Sequence, residues 1–262
     1  MPRRHIAILL AAAGLSWATL SLAGPAAAAR LAVPGGEFAP VIAPGPAQSM
    51  MRVAEFRLDE HPVTNADFLR FVTAHPEWQR GAVPTVFADE RYLAHWRGAL
   101  DPGESRPNAP VTDVSWHAAR AYCASAGGRL PTWYEWEFAA AADETRADAR
   151  QDPAWRERIL AWYAQSAAHP PGDVEQSPAD VHHIHDLHGL VWEWVDDFGA
   201  LMMSGDSRDQ GDPDKLKFCG AGALAASIRD DYPVLMRIAL LSSLEADHSV
   251  ASLGFRCAED AP

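Results

Sequence analysis

The chain has 262 residues, 48% of them hydrophobic, with 22 Lys and Arg against 35 Asp and Glu and a formal net charge of −13. That length can bury one large core or two small ones. The acidic balance excludes a nucleic-acid backbone or an anionic membrane surface as the main partner, because both would repel it.

Residues 1–28 read as a cleaved secretory signal peptide. Arg3 and Arg4 form a basic start, Ile6 to Leu22 is an apolar run, and Ala26-Ala27-Ala28 supplies a small-residue cleavage site. The run is short for a membrane span and has no basic stop after it, so no membrane attachment is expected once it is cleaved. Residues 30–262 read as one domain, periplasmic or secreted, in a compartment where disulfides persist.

Within that domain Val33-Pro-Gly-Gly-Glu-Phe38 is expected to be a strand entered through a turn, and Val53 to Leu58 alternates as a second strand. Thr64 or Asn65 can N-cap a helix whose Phe68, Leu69, Phe71 and Val72 form one apolar stripe ending before Pro76. Pro84 to Pro110 is irregular, and its Phe87, Tyr92, His95 and Trp96 read as aromatic staples to the core. Trp116 to Ala126 is expected to be a second helix closed by Gly127-Gly128, and Thr132 with Glu135 makes the capping box of a third, through Trp136, Phe138 and Ala142. Asp143 to Glu157 is charged and Ala-rich, a solvated extension rather than a site. Leu201 to Lys217 reads as a polar surface excursion, Phe218 to Leu224 as a small-residue strand, and Leu253 to Cys257 as a strand returning to the core.

The stretch His185 to Phe198 is the centre of the chain. Trp192 and Trp194 flank Glu193 in a short strand expected to bury both faces, and an unpaired buried carboxylate is costly. Glu193 therefore needs an Arg, a set of backbone N–H groups or a metal ion. Just before it, His182, His183, His185 and His188 crowd seven positions and are candidate copper or zinc ligands, with packing as the competing role. Three cysteines leave one pair and one orphan.

Taken in order, Pro34-Gly-Gly-Glu-Phe38, Pro62-Val-Thr-Asn65, Pro110-Val-Thr-Asp-Val-Ser-Trp116, Gly128-Arg-Leu-Pro-Thr132, Glu135-Trp-Glu-Phe-Ala139, Gly189-Leu-Val-Trp-Glu-Trp194 and Leu253-Gly-Phe-Arg-Cys257 resemble the formylglycine-generating enzyme, or sulfatase-modifying factor, family. The resemblance implies a C-type-lectin-like α+β fold, loop-rich with little regular secondary structure. It implies a disulfide between Cys123 and Cys257, with Cys219 as the orphan. It also implies calcium held by Gly189, Leu190, Val191 and Glu193, although Leu190 stands where the family usually has Asn, leaving only main-chain ligation there. The family's oxidase chemistry uses a copper-binding cysteine pair beyond a glycine strand. Here that strand is Cys219-Gly-Ala-Gly-Ala-Leu224, and no Cys follows before Arg256. Cys219 is then the one candidate for thiol chemistry, with a buried inert thiol as the competing role.

His185-Asp-Leu-His-Gly-Leu190 and Phe87-Ala-Asp-Glu-Arg-Tyr-Leu-Ala-His-Trp96 are similar to the NirV-type branch, whose members are encoded beside copper nitrite reductases. The resulting expectation is a monomeric periplasmic accessory or maturation factor acting on a protein partner, such as a copper nitrite reductase. The alternatives are an oxidase working through other residues and a periplasmic metal-binding protein.

Overall fold

Phe56 and Leu58 are buried while Arg57 between them is exposed, and this alternation places Phe56–Asp59 (β4) at the middle of the main sheet. A computed structural model describes residues 28–42, 49–165, 170–199 and 232–262. In it β4 pairs antiparallel with Arg30–Val33 (β1) on one side and with Ala258–Asp260 (β7) on the other, with Leu58 opposite both Leu31 and Ala258. The first and last described strands are thus joined through one central strand.

The two strands expected from the sequence are each divided. Val33 ends β1 and Gly36–Phe38 (β2) begins a separate ribbon, which pairs with Met51–Val53 (β3) before the chain bends at Ala54 and Glu55 into β4. The division has a steric cause. A Cβ on Gly35 would lie 2.6 Å from both Glu55 N and Val53 O, so the two ribbons cross where only glycine lets the backbones meet.

Helix α1 (Asn65–Ala74) is capped by Thr64 in a capping box with Asp67 and stops before Pro76. Helix α2 (Trp116–Ser125) is capped by Ser115, and Gly127 follows it at φ +75°, where glycine carries no Cβ penalty. Helix α3 (Trp133–Ala140) has the expected box of Thr132 and Glu135. Both Glu135 oxygens also accept from Arg129 at 2.7 Å, and Arg129 Nε donates to Asp260 at 2.9 Å, so the α2–α3 corner is tied to β7. Pro84 to Pro110 contains no helix or strand. Tyr92 and Trp96 are buried as its staples, and Phe87 is 42% exposed.

Two elements depart from the sequence reading. Asp143 to Glu157 is not a solvated extension: Ala149 and Trp155 are buried, and helix α4 (Pro153–Gln165) begins inside it. Helix α5 (Tyr232–Ser242) was not anticipated. Around Glu193 the regular strand shrinks to Trp192–Glu193 (β5), parallel to Leu253–Gly254 (β6). A Cβ on Gly254 would meet Val111 O at 2.7 Å, so this pairing needs glycine. The core between sheet and helices contains Phe56, Leu58, Phe68, Trp96, Trp133, Trp194 and Phe255. Cys123 on α2 and Cys257 beside β7 form the disulfide. Among the described residues no helix is long and apolar enough to cross a membrane.

Candidate functional site

Glu193 has no exposed surface. Arg256, two residues before the start of β7 and equally buried, donates from Nε to both carboxylate oxygens at 3.0 Å and from Nη2 to Oε1 at 2.8 Å. Trp136 Nε1 donates to Oε2 at 2.7 Å. The remaining Arg256 donors reach Asp59 O at 3.1 Å and His185 O at 2.9 Å, so one guanidinium joins the end of β4, the histidine loop and β5. From α5, Arg237 donates Nη2 to Glu193 O at 2.6 Å and lies 3.6 Å from the centroid of the Trp136 ring. Burial pushes its pKa down to about 10, which leaves it charged at neutral pH.

This arrangement bears on the calcium expectation. Calcium needs oxygen donors with free lone pairs, whereas the Glu193 carboxylate faces a guanidinium and an indole N–H, and its carbonyl faces a second guanidinium. Two buried arginines would also repel a dication. Both the carboxylate and the carbonyl of Glu193 are thus engaged by protein donors, and of the three partners Glu193 requires, it has the arginine.

The histidines are likewise drawn apart. His188 Nε2 donates to Ala140 O at 2.8 Å, with the ring edge-on to Trp136 and Trp155. That bond places the proton on Nε2 and leaves Nδ1 shielded and unpartnered. Burial pushes the His188 pKa down to about 4, so the ring is neutral at neutral pH. His185 Nδ1 is bonded to Ser177 O at 2.7 Å. His183 is exposed at φ +64°, and the His182 backbone N–H caps Asp180 at 2.7 Å. Among the described residues the group spaced to hold a metal is Glu245, Asp247 and His248 on the loop after α5, which includes none of these four. Of the four histidines proposed as copper or zinc ligands, His185 and His188 use a ring nitrogen on a main-chain carbonyl, whereas His182 Nε2 is buried without a partner and His183 faces outward.

The histidine segment instead walls a cavity of about 320 Å³, closed on the other side by Trp155, Ile159 and Trp162 of α4. The sequence reading missed these three and Arg237. The apolar spacing 155, 159, 162 was the available signal for the first, but it straddles the boundary drawn at Glu157. For Arg237 a lone cation in an otherwise apolar run was the available signal. Cys219 and the glycine strand lie outside the described residues, as do residues 1–27.

The short strands, capped helices and loops organised around one arginine-clasped glutamate define a loop-rich α+β domain in which the polar centre is a structural hub. The chain belongs to the family described as "Sulfatase-modifying factor enzyme 1-like domain", which matches residues 21–261. It is 33% identical over 311 aligned residues to a formylglycine-generating enzyme of Streptomyces coelicolor, covering 96% of this chain and 97% of that protein. It is also 30% identical to the "Inactive C-alpha-formylglycine-generating enzyme 2" of Mus musculus, over 58% of this chain and 60% of that protein. Among solved structures, PvdO from Pseudomonas aeruginosa superposes with a TM-score of 0.48 at 16% identity, covering 88% of this chain and 94% of that one.

Proposed function

We propose that this member of the family does not make formylglycine and acts as an exported accessory or maturation factor for a periplasmic copper enzyme such as nitrite reductase. One observation carries the first half. Of three cysteines, Cys123 and Cys257 are joined in the core, so only Cys219 is left, and it stands before the glycine strand rather than beyond it, where the family's copper chemistry takes a pair. A single thiolate supplies half of the soft donor set, and reactions that depend on two residues acting as a unit lose most of their rate when one is removed. The accessory role is supported by the similarity of residues 87–96 and 185–190 to the NirV-type branch, and export by the signal-like residues 1–28.

The test of the first half is to incubate copper-loaded mature protein with oxygen, a thiol reductant and a Cys-x-Pro-x-Arg peptide, and to follow the peptide's mass. No aldehyde is expected. Steady aldehyde formation that disappears in Cys219→Ser would overturn the reading. The accessory role is tested by adding the protein to copper-depleted nitrite reductase with limiting copper. Faster recovery of reductase activity is expected, and recovery at the rate seen with albumin would remove it.

A further inference from the structure

Trp155, Arg158, Ile159 and Trp162 fall at the spacing that puts them on one face of α4, and all four line the cavity. A face with two tryptophans ordinarily closes onto its neighbours. Here it closes only in part: Trp155 meets His188 edge-on and Trp162 lies against Trp192. The helix is anchored by its own small cluster of Ala149, Trp155 and Ile159 with Tyr163 against it, separate from the main core, and about 320 Å³ remains beneath it. That volume lies at the small end of the range of small-molecule sites.

The facing wall carries two carboxylates that, among the described residues, have no ion-pair partner. Asp186 accepts only neutral donors, Ser177 Oγ and Glu175 N, each at 2.6 Å. Asp180 Oδ1 accepts the N–H groups of His182 and Ile184 at 2.7 and 3.0 Å, and its Oδ2 has no partner. The other charges on the lining are neutralised locally: Asp143 is paired with Arg146, and Glu144 with Arg158 at 3.3 Å. His188 is neutral. Two indole rings therefore share a partly enclosed space with two carboxylates that lack an ion pair, while Arg237 and Arg256 act on the same wall from behind.

We propose that this cavity binds an organic cation, an ammonium or guanidinium group on an aromatic or aliphatic body. The carboxylates supply the field and the indole faces the contact, since a cation over Trp gains more when it is desolvated. An anion would be repelled by Asp180 and Asp186. A bare metal ion is disfavoured because no three donor atoms converge on this cavity among the described residues. This inference is independent of the cysteine argument.

The probes are three molecules of one shape: 2-phenylethylammonium, neutral 2-phenylethanol and anionic 3-phenylpropanoate. Each is titrated into the mature protein near pH 7.5 and followed by tryptophan fluorescence and calorimetry. The ammonium is expected to bind saturably and about tenfold or more tighter than the alcohol, about 1.4 kcal/mol, and the propanoate not at all. Asp180→Asn should narrow the gap between ammonium and alcohol. Ala142→Leu, which adds bulk to the cavity wall, should remove ammonium binding while the melting temperature confirms a folded protein. Equal affinity for ammonium and alcohol, no saturable ammonium binding, or undiminished binding in folded Ala142→Leu would overturn the proposal. Should Asp180→Asn fail to fold, the three probes on the wild type decide the question alone.

Discussion

Asp59 and His188 are perturbed in directions that oppose each other. Asp59 accepts the Cys257 N–H at 2.9 Å and pairs with Arg30 at 3.2 Å, yet burial outweighs both and pushes its pKa up to about 6. Between the ordinary carboxylate value and about pH 6 the folded state holds this proton more tightly than the unfolded chain. Its stabilising contribution is therefore full in acid and lost as pH rises through about 6. His188, pushed down to about 4 by burial, does the reverse: its contribution is full above the ordinary histidine value and lost as pH falls toward 4. The wild type should accordingly show a shallow pH dependence of stability between about 4 and 6 from this pair. Relative to it, Asp59→Asn should lose stability on acidification and His188→Gln should gain it. Urea unfolding at several pH values measures this, and curves for both variants parallel to the wild type would refute it. A second prediction concerns Glu193. Removing one partner strands a buried charge, so Arg256→Met should cost about 3–5 kcal/mol, and Glu193→Gln a loss that neither calcium nor a chelator alters. That Glu193 needs a partner was legible from its apolar neighbours. Which partner it has was not, because Arg256 lies 63 positions away and the contact is made only by the fold.

Elements were legible in proportion to how local their signals are. Helices α1, α2 and α3 each announce themselves by a capping Thr or Ser followed by apolar spacing, and each forms where expected. Removing such a cap typically costs about 1 kcal/mol. Thr132→Ala should reach or exceed that, because Glu135, the other half of its box, also holds the Arg129 link to Asp260. A smaller loss than for Thr64→Ala, measured in the same denaturant series, would mean that the link does not depend on the cap. By contrast α4 has Arg and Glu interleaved with its apolar positions, which reads as a solvated face until a partner surface is present. Helix α5, with Val234, Leu235, Met236, Ile238, Leu240 and Leu241, is apolar around most of its circumference and so shows no stripe. The ribbons near Gly35 were misjudged for another reason: the bend at Ala54 and Glu55 answers to a crossing backbone distant in sequence.

On the scale of the whole molecule, sheet order β1-β4-β7 and the disulfide fasten the same corner. Cys257 immediately precedes β7, its N–H is held by Asp59 at the end of β4, and its sulfur reaches back 134 positions to α2. With few regular strands and much of the chain in loops, the unfolded state has a great deal of freedom to lose, and a cross-link closing so long a loop removes a large share of it. The chain-entropy estimate for a loop of this size is about 3–5 kcal/mol, which for a domain of this length translates into a fall in melting temperature of about 6–20 °C on reduction. Cys123→Ala with Cys257→Ala should show the same fall without reductant, which separates the cross-link from any effect of Cys219. The thiol count provides an independent check. Alkylation of the denatured, unreduced protein should label one cysteine, Cys219, and labelling of all three would show that the cross-link is absent from the protein. If instead one thiol is labelled but reduction leaves the melting temperature unchanged, the sheet and the Glu193–Arg256 contact would by themselves hold this corner, and the entropic account of the disulfide would be wrong for this fold.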